Sequence, residues 1–111
     1  MSKAFLYKER LLFWCPGCDN MMQVCPIRWH WNGDTEKPTL SPSILQTTGS
    51  FPDGHTDICH CFVNDGNINF CADSTHSLKG QTVTLPHLDE VIDMQIIDDH
   101  ITWSRKVPRY S

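Results

Sequence analysis

The chain has 111 residues, enough for one domain, with a formal net charge of −4, six cysteines and six histidines. The acidic balance argues against a general electrostatic grip on nucleic acid, and no apolar run approaches the roughly 18 residues that span a membrane. The N-terminus lacks the apolar stretch of a signal peptide, so a cytoplasmic location with reduced cysteines is expected.

In chain order, residues 5–14 read as a first strand ending at Cys15, and residues 24–31 as a second extended piece. Trp29 and Trp31 share one face of that piece, with His30 on the other. Asn32-Gly33-Asp34 is a turn signal. Residues 37–45 carry Pro38 and Pro42, which argue against a helix or a central strand there. Residues 46–56 are polar and read as a loop. The strongest supersecondary signal is a hairpin over residues 58–70, turning at Asp65-Gly66. Residues 78–86 suggest a turn and a strand. Residues 91–97 and 100–103 suggest a second hairpin about Asp98-Asp99, with a short helix near residues 88–94 as the alternative.

The sharpest motif is Cys15-Pro16-Gly17-Cys18, a tight turn able to aim two sulfurs at one centre, where glycine tolerates a positive φ. Zinc takes four ligands in a tetrahedron, so two more must come from elsewhere. The candidates are Cys59, His60 and His76; in a strand Cys59 and His60 face opposite ways, so only one of them is expected to bind. Asp73 is a candidate to fix the His76 tautomer from behind. Trp14-Cys15-Pro16-Gly17-Cys18 is superficially like a thioredoxin site, but Pro26 and the lack of a long amphipathic pattern remove the helix that chemistry needs. Cys25 reads as a buried hydrophobe, Cys71 is open between roles, and His30, His55, His87 and His100 read as surface polar groups. Trp29 and Trp31 are a candidate binding surface, weighed against core packing. No catalytic signature of the His-Glu-x-x-His or deaminase type is present.

These motifs occur in a recognisable order. Cys-Pro-Gly-Cys is followed by Trp31-Asn32-Gly33-Asp34 and by residues 37–45, Lys-Pro-Thr-Leu-Ser-Pro-Ser-Ile-Leu. Then come Cys59-His60, Phe62-Val63, Asp65-Gly66, Ile68 and Phe70, and finally Asp73-Ser74-Thr75-His76 with Gly80-Gln81-Thr82-Val83. The string, over about residues 13–86, resembles a family of small phage and prophage proteins of unknown function, often labelled ammonia monooxygenase. The resemblance implies a mobile-element context and a metal site. Relatives carry a histidine where Met22 stands, and some a cysteine where Ser74 stands, which leaves Cys15, Cys18, one of Cys59 or His60, and His76 as the implied ligands.

The expectation from sequence is therefore a mainly β single domain over residues 1–111. It is built of antiparallel hairpins around a zinc knuckle, with irregular proline-rich connections and a C-terminal hairpin and basic tail over residues 91–111. Its expected role is a non-enzymatic module that binds a host protein in the cytoplasm, for instance as an inhibitor of a host defence complex, its acidic surface occupying a basic groove. Two alternatives stand beside it. One is a metal-dependent hydrolase with Asp73 as base. The other is a nucleic-acid-binding zinc ribbon using Trp29, Trp31 and the tail residues Arg105, Lys106 and Arg109.

Overall fold

The computed structural model describes residues 2–48 and 57–106. Its strands are β1 (Ala4–Tyr7), β2 (Arg10–Cys15), β3 (Asn20–Val24), β4 (His30–Trp31), β5 (Leu40–Thr48), β6 (Asp57–Asn64), β7 (Asn67–Phe70), β8 (Thr82–Thr84), β9 (Ile92–Ile97) and β10 (His100–Arg105). A single helical turn, α1 (Leu88–Val91), precedes β9. The mainly β, antiparallel class expected from sequence is what forms, in three sheets ordered β1-β2-β3, β4-β5-β6-β7-β8 and β9-β10.

The apolar run Leu11-Leu12-Phe13-Trp14-Cys15 explains the layering. All five residues are buried, so β2 is covered on both faces. Leu11, Phe13 and Cys15 face the five-stranded sheet and meet Ile44, Cys59, Cys61, Val63, Ile68 and Phe70 in the main core. Trp14 faces the other way, onto Leu88 and Ile92, and meets Trp103 edge-on at 5.6 Å. The helix and the last hairpin thus cover the outer face of the first sheet.

Three two-residue turns carry paired positive φ values, the geometry that matches strand twist: Lys8-Glu9, Asp65-Gly66 and Asp98-Asp99. The hairpins at the last two were expected. The first was not, and the single strand expected over residues 5–14 is instead β1 and β2. Neither lysine nor glutamate is a turn former, and the turn is held from outside. Lys8 Nζ pairs with Asp99 at 2.5 Å, and the Tyr7 hydroxyl donates to the Asp99 carbonyl. That pairing holds the Asp99 carboxyl below the ordinary carboxylate range, the Lys8 ammonium being the largest cause. The second hairpin and the single helical turn offered as its alternative are both present, in succession.

The piece expected over residues 24–31 is split between β3 and β4, with a turn in which Arg28 and Trp29 donate to the Cys25 carbonyl. The expectation against a central strand over residues 37–45 also fails. Pro42 lies in β5, which has β4 on one side and β6 on the other. It is tolerated because β5 pairs with β4 only at Leu40 and Ser41, and with β6 at Leu40 and again from Ile44 onward; the register shifts between. Pro42 therefore sits in the interruption, where no ladder donor is required. The loop expected over residues 46–56 is strand as far as Thr48; the rest of it lies outside the described residues.

Candidate functional site

Two clusters flank β6, one on each face, because successive side chains of a strand alternate. Cys59 and Cys61 point into the core, both buried, while His60 points outward.

On the inner side, Cys15 at the end of β2 and Cys18 in the following turn meet Cys59. The three sulfurs lie within 4.8 Å of one another. Cys15 Sγ and Cys59 Sγ are 3.8 Å apart, far beyond a disulfide bond of about 2.05 Å. A tetrahedron with metal–sulfur bonds of about 2.3 Å has edges of about 3.8 Å. The Cys18 amide donates to Cys15 Sγ at 3.4 Å, which spreads thiolate charge into the backbone. The Cys18 and Cys59 thiols, in that order, also donate to Cys15 and bring its pKa down to about 3. Contact with the Cys15 thiolate in turn pushes the Cys18 and Cys59 thiols up. The donor set can hold a metal ion.

His76 lies against this turn. Its ring packs edge-on to Phe70 at 4.4 Å, Leu78 N–H donates to Nδ1 at 3.3 Å, and Nε2 is buried with no hydrogen-bond partner. A Cβ on Gly17 would come within 2.4–2.8 Å of three ring atoms, so glycine is required for close approach. The positive φ expected of Gly17 belongs instead to Asp19, at 53°. Gly17→Ala is expected to displace His76 and destabilise the fold by about 1–3 kcal/mol, read from urea denaturation.

On the outer side, His60 Nε2 is 3.1 Å from Ser43 Oγ, and His60 Nδ1 is 3.1 Å from both carboxylate oxygens of Asp73. An ionised carboxylate only accepts, so the nitrogen facing Asp73 is the one that donates, and in a neutral imidazole Nε2 then offers its lone pair to the Ser43 hydroxyl. The imidazole side chain is 27% exposed and the Asp73 carboxylate 59%, so a substrate can reach the first and solvent the second.

Each of the three residues is held by the fold. Ser43 lies within the β5 interruption, next to Pro42, and its carbonyl accepts the indole N–H of Trp29 at 3.4 Å. The turn before β5 is pinned by Asn32, whose Oδ1 accepts from the Asp34 and Thr39 amides. Asp34 accepts from Glu36 and Lys37 amides, and those bonds, Lys37 first, hold its pKa below the ordinary value. Asp73 is placed by residues 71–75, which lie along the edge of β6. The Cys71 amide donates to the His60 carbonyl, and buried Ser74 bonds both the His60 amide and its carbonyl at 3.0 Å. Thr75 closes the far end on Ile58. Cys71 lies beside this group, within 4.8 Å of the His60 and Asp73 ligand atoms. Burial, then the Asp73 charge, push its thiol up, away from the reactive thiolate.

Of the residues marked in the sequence, Cys15, Cys18 and Cys59 come together, with His76 against their turn. His60 turns away from them. Asp73 meets His60 rather than His76. Trp29 and Trp31 are partly buried against the core, and their indoles donate to the Ser43 and Asp34 carbonyls, so they brace the site from within. Arg105 pairs with Asp19 at 3.0 Å; Arg109 lies outside the described residues. Ser43 was missed. It sits in a proline-rich stretch without a Gly-x-Ser-x-Gly pattern, and no local signal marks it as a nucleophile.

The family described as "Bacterial ubiquitination-like system serine protease (BubE)" matches residues 2–71. No curated protein and no solved structure matches the chain. The likeness to a small family noted from the motifs holds at that level, but the description carries no ammonia monooxygenase name. It also overturns the expected non-enzymatic role as a binding module or defence inhibitor, since the family is one of proteases. Among the described residues, no helix is long and apolar enough to cross a membrane.

Proposed function

We propose that this chain, which belongs to the BubE family, is a serine protease with Ser43 as nucleophile, His60 as general base and Asp73 as the carboxylate that orients it. The observation that carries this reading is the continuous set of contacts from Ser43 Oγ to His60 Nε2 and from His60 Nδ1 to Asp73. Ser43 and His60 fall within the family match, and Asp73 follows it by two residues. The family description points to polypeptides of a ubiquitination-like system as substrates.

The geometry gives each step a donor and an acceptor. Ser43 Oγ attacks the scissile carbonyl carbon as its proton passes to His60 Nε2. The imidazolium so formed is stabilised by Asp73 through Nδ1–H. His60 then returns the proton to the leaving amine, and the C–N bond breaks to leave an ester on Ser43. Water, deprotonated by His60, hydrolyses that ester and restores the hydroxyl.

A metal-dependent hydrolase would use His60, Cys71 and Asp73 as ligands, since these also lie within 4.8 Å. The serine reading is favoured because it puts a hydroxyl nucleophile in direct contact with its base, Ser43 Oγ lying 3.1 Å from His60 Nε2. A fluorophosphonate probe separates the two. One adduct per chain is expected, mapped to Ser43 by peptide mass spectrometry. An adduct on another residue, or none on the folded protein, overturns the assignment.

The same reading assigns a zinc ion to Cys15, Cys18, Cys59 and His76. The three clustered sulfurs leave a fourth position to fill, and we assign it to His76, whose ring lies against Gly17 of the same turn and whose Nε2 is buried without a hydrogen-bond partner. Coordination through Nε2 requires the long Leu78 contact to Nδ1 to yield. Bound by four protein ligands, zinc supplies folding energy and rigidity. Cys59 precedes His60 in the chain and His76 follows Asp73 by three residues, so the ion ties together the two segments that carry the base and its orienting carboxylate.

A further inference from the structure

We infer that the protease takes its substrate as an added β-strand along the open edge of β5, with an apolar substrate side chain seated on Leu45 and Phe62; this rests on the serine protease reading above. The β4–β5 pairing ends at Ser41, and from Ile44 to Thr48 β5 pairs only with β6 among the described residues. The other edge of β5 therefore begins beside Ser43.

Register tells which backbone groups face that edge. The carbonyls of Ile58 and His60 accept the Thr75 and Cys71 amides, so both point away from β5. Backbone groups alternate along an antiparallel ladder. Cys59 and Cys61 consequently serve Gln46 and Ile44 across the pair, and Leu45 and Thr47 turn their N–H and C=O groups outward. The Ser43 carbonyl, of the same parity, is the one that accepts the Trp29 indole. An extended chain bonding Leu45 and Thr47 would run straight past the nucleophile, two residues or about 7 Å from Leu45. Among the described residues nothing pairs with this edge; such an edge is normally covered or charged, and Leu45, Gln46 and Thr47 carry no charge.

The side chains supply selectivity. Leu45 lies directly opposite His60 and shares its face of the sheet; Phe62, two residues along β6, shares it too, with ring centroids 6.2 Å apart. Both are large apolar groups in the open, Leu45 61% and Phe62 47% exposed. The substrate they fit is an unstructured polypeptide segment with an apolar residue near the cut. Main-chain pairing gives such a segment affinity, and the apolar contact gives it register.

The test uses a library of internally quenched, unstructured dodecapeptides on the whole protein. A cleaved peptide is then resynthesised with single backbone N-methyl groups at each position. Methylation at alternate residues is expected to lower kcat/KM about tenfold, the worth of one lost hydrogen bond, with little effect between them. Leu45→Ser is expected to lower kcat/KM for peptides with Leu or Phe near the cut and not for those with Ser there. A flat N-methyl profile, or equal loss for both peptide sets, overturns the proposal. So does failure to cleave any peptide while the fluorophosphonate probe still labels Ser43, which leaves the protease reading standing. Failure of labelling as well removes that reading instead.

Discussion

Ser43→Ala is expected to abolish proteolysis, lowering kcat by on the order of 10⁶-fold, while leaving the melting temperature nearly unchanged. The side chain removed is only partly buried, and among the described residues its hydroxyl is hydrogen-bonded to His60 Nε2. Little packing is lost, so the effect falls on chemistry. Asp73→Asn should cost less, about 10⁴-fold, because the amide presents the wrong hydrogen-bond pattern to Nδ1 and turns the imidazole to the wrong tautomer. Cys71→Ala is the control, since its thiol lies beside the same histidine but is held protonated. Assays of peptide cleavage alongside thermal melts check all three. Full activity in Ser43→Ala, or its loss in Cys71→Ala in place of Ser43→Ala, would refute the assigned nucleophile.

The second large effect is expected from the metal. Structural zinc contributes on the order of 10 kcal/mol, comparable with the whole stability of a small domain, about 5–15 kcal/mol. Cys59→Ala removes a proposed ligand that is 3% exposed and meets the Cys15–Cys18 turn from β6. The variant is expected to purify without zinc and to lose its cooperative melt. Activity should vanish with it, because Cys59 and His60 are consecutive on one strand. Ligand thiols must be deprotonated to bind, so protons compete with the ion. On the zinc proposal, stability conferred by the ion is therefore expected at neutral pH and expected to be lost as the pH falls, together with release of the ion. Metal analysis of the purified protein, followed by melts across an acid series, measures both. A folded, active, zinc-free protein would end this part of the proposal, while the Ser43 labelling would still judge the protease reading separately.

The two clusters differ in how far the sequence revealed them. Cys15 and Cys18 announce themselves, since a Cys-x-x-Cys turn is local and needs only a tight backbone. Cys59 and His76 were candidates on residue type, but the strand allowed either Cys59 or His60 to face inward. The choice was made by the core: Cys59, Cys61 and Val63 are the buried set of β6, and that leaves His60 outside. Once outward, His60 could not share the site of its neighbour, and a residue first read as a possible ligand became the centre of a different constellation.

The amino-acid pattern by itself determined the β class, the hairpins at Asp65-Gly66 and Asp98-Asp99, and the cysteine turn, because each depends on residues within a few positions of one another. Tertiary structure decided the rest. Ser43 meets His60 across 17 positions and His60 meets Asp73 across 13. Those meetings depend on strand register, on the interruption at Pro42 and on Ser74 and Thr75 fastening a loop to β6. Alternation along a strand says which face a residue takes. Which partner lies across from it is set only when the strands pair.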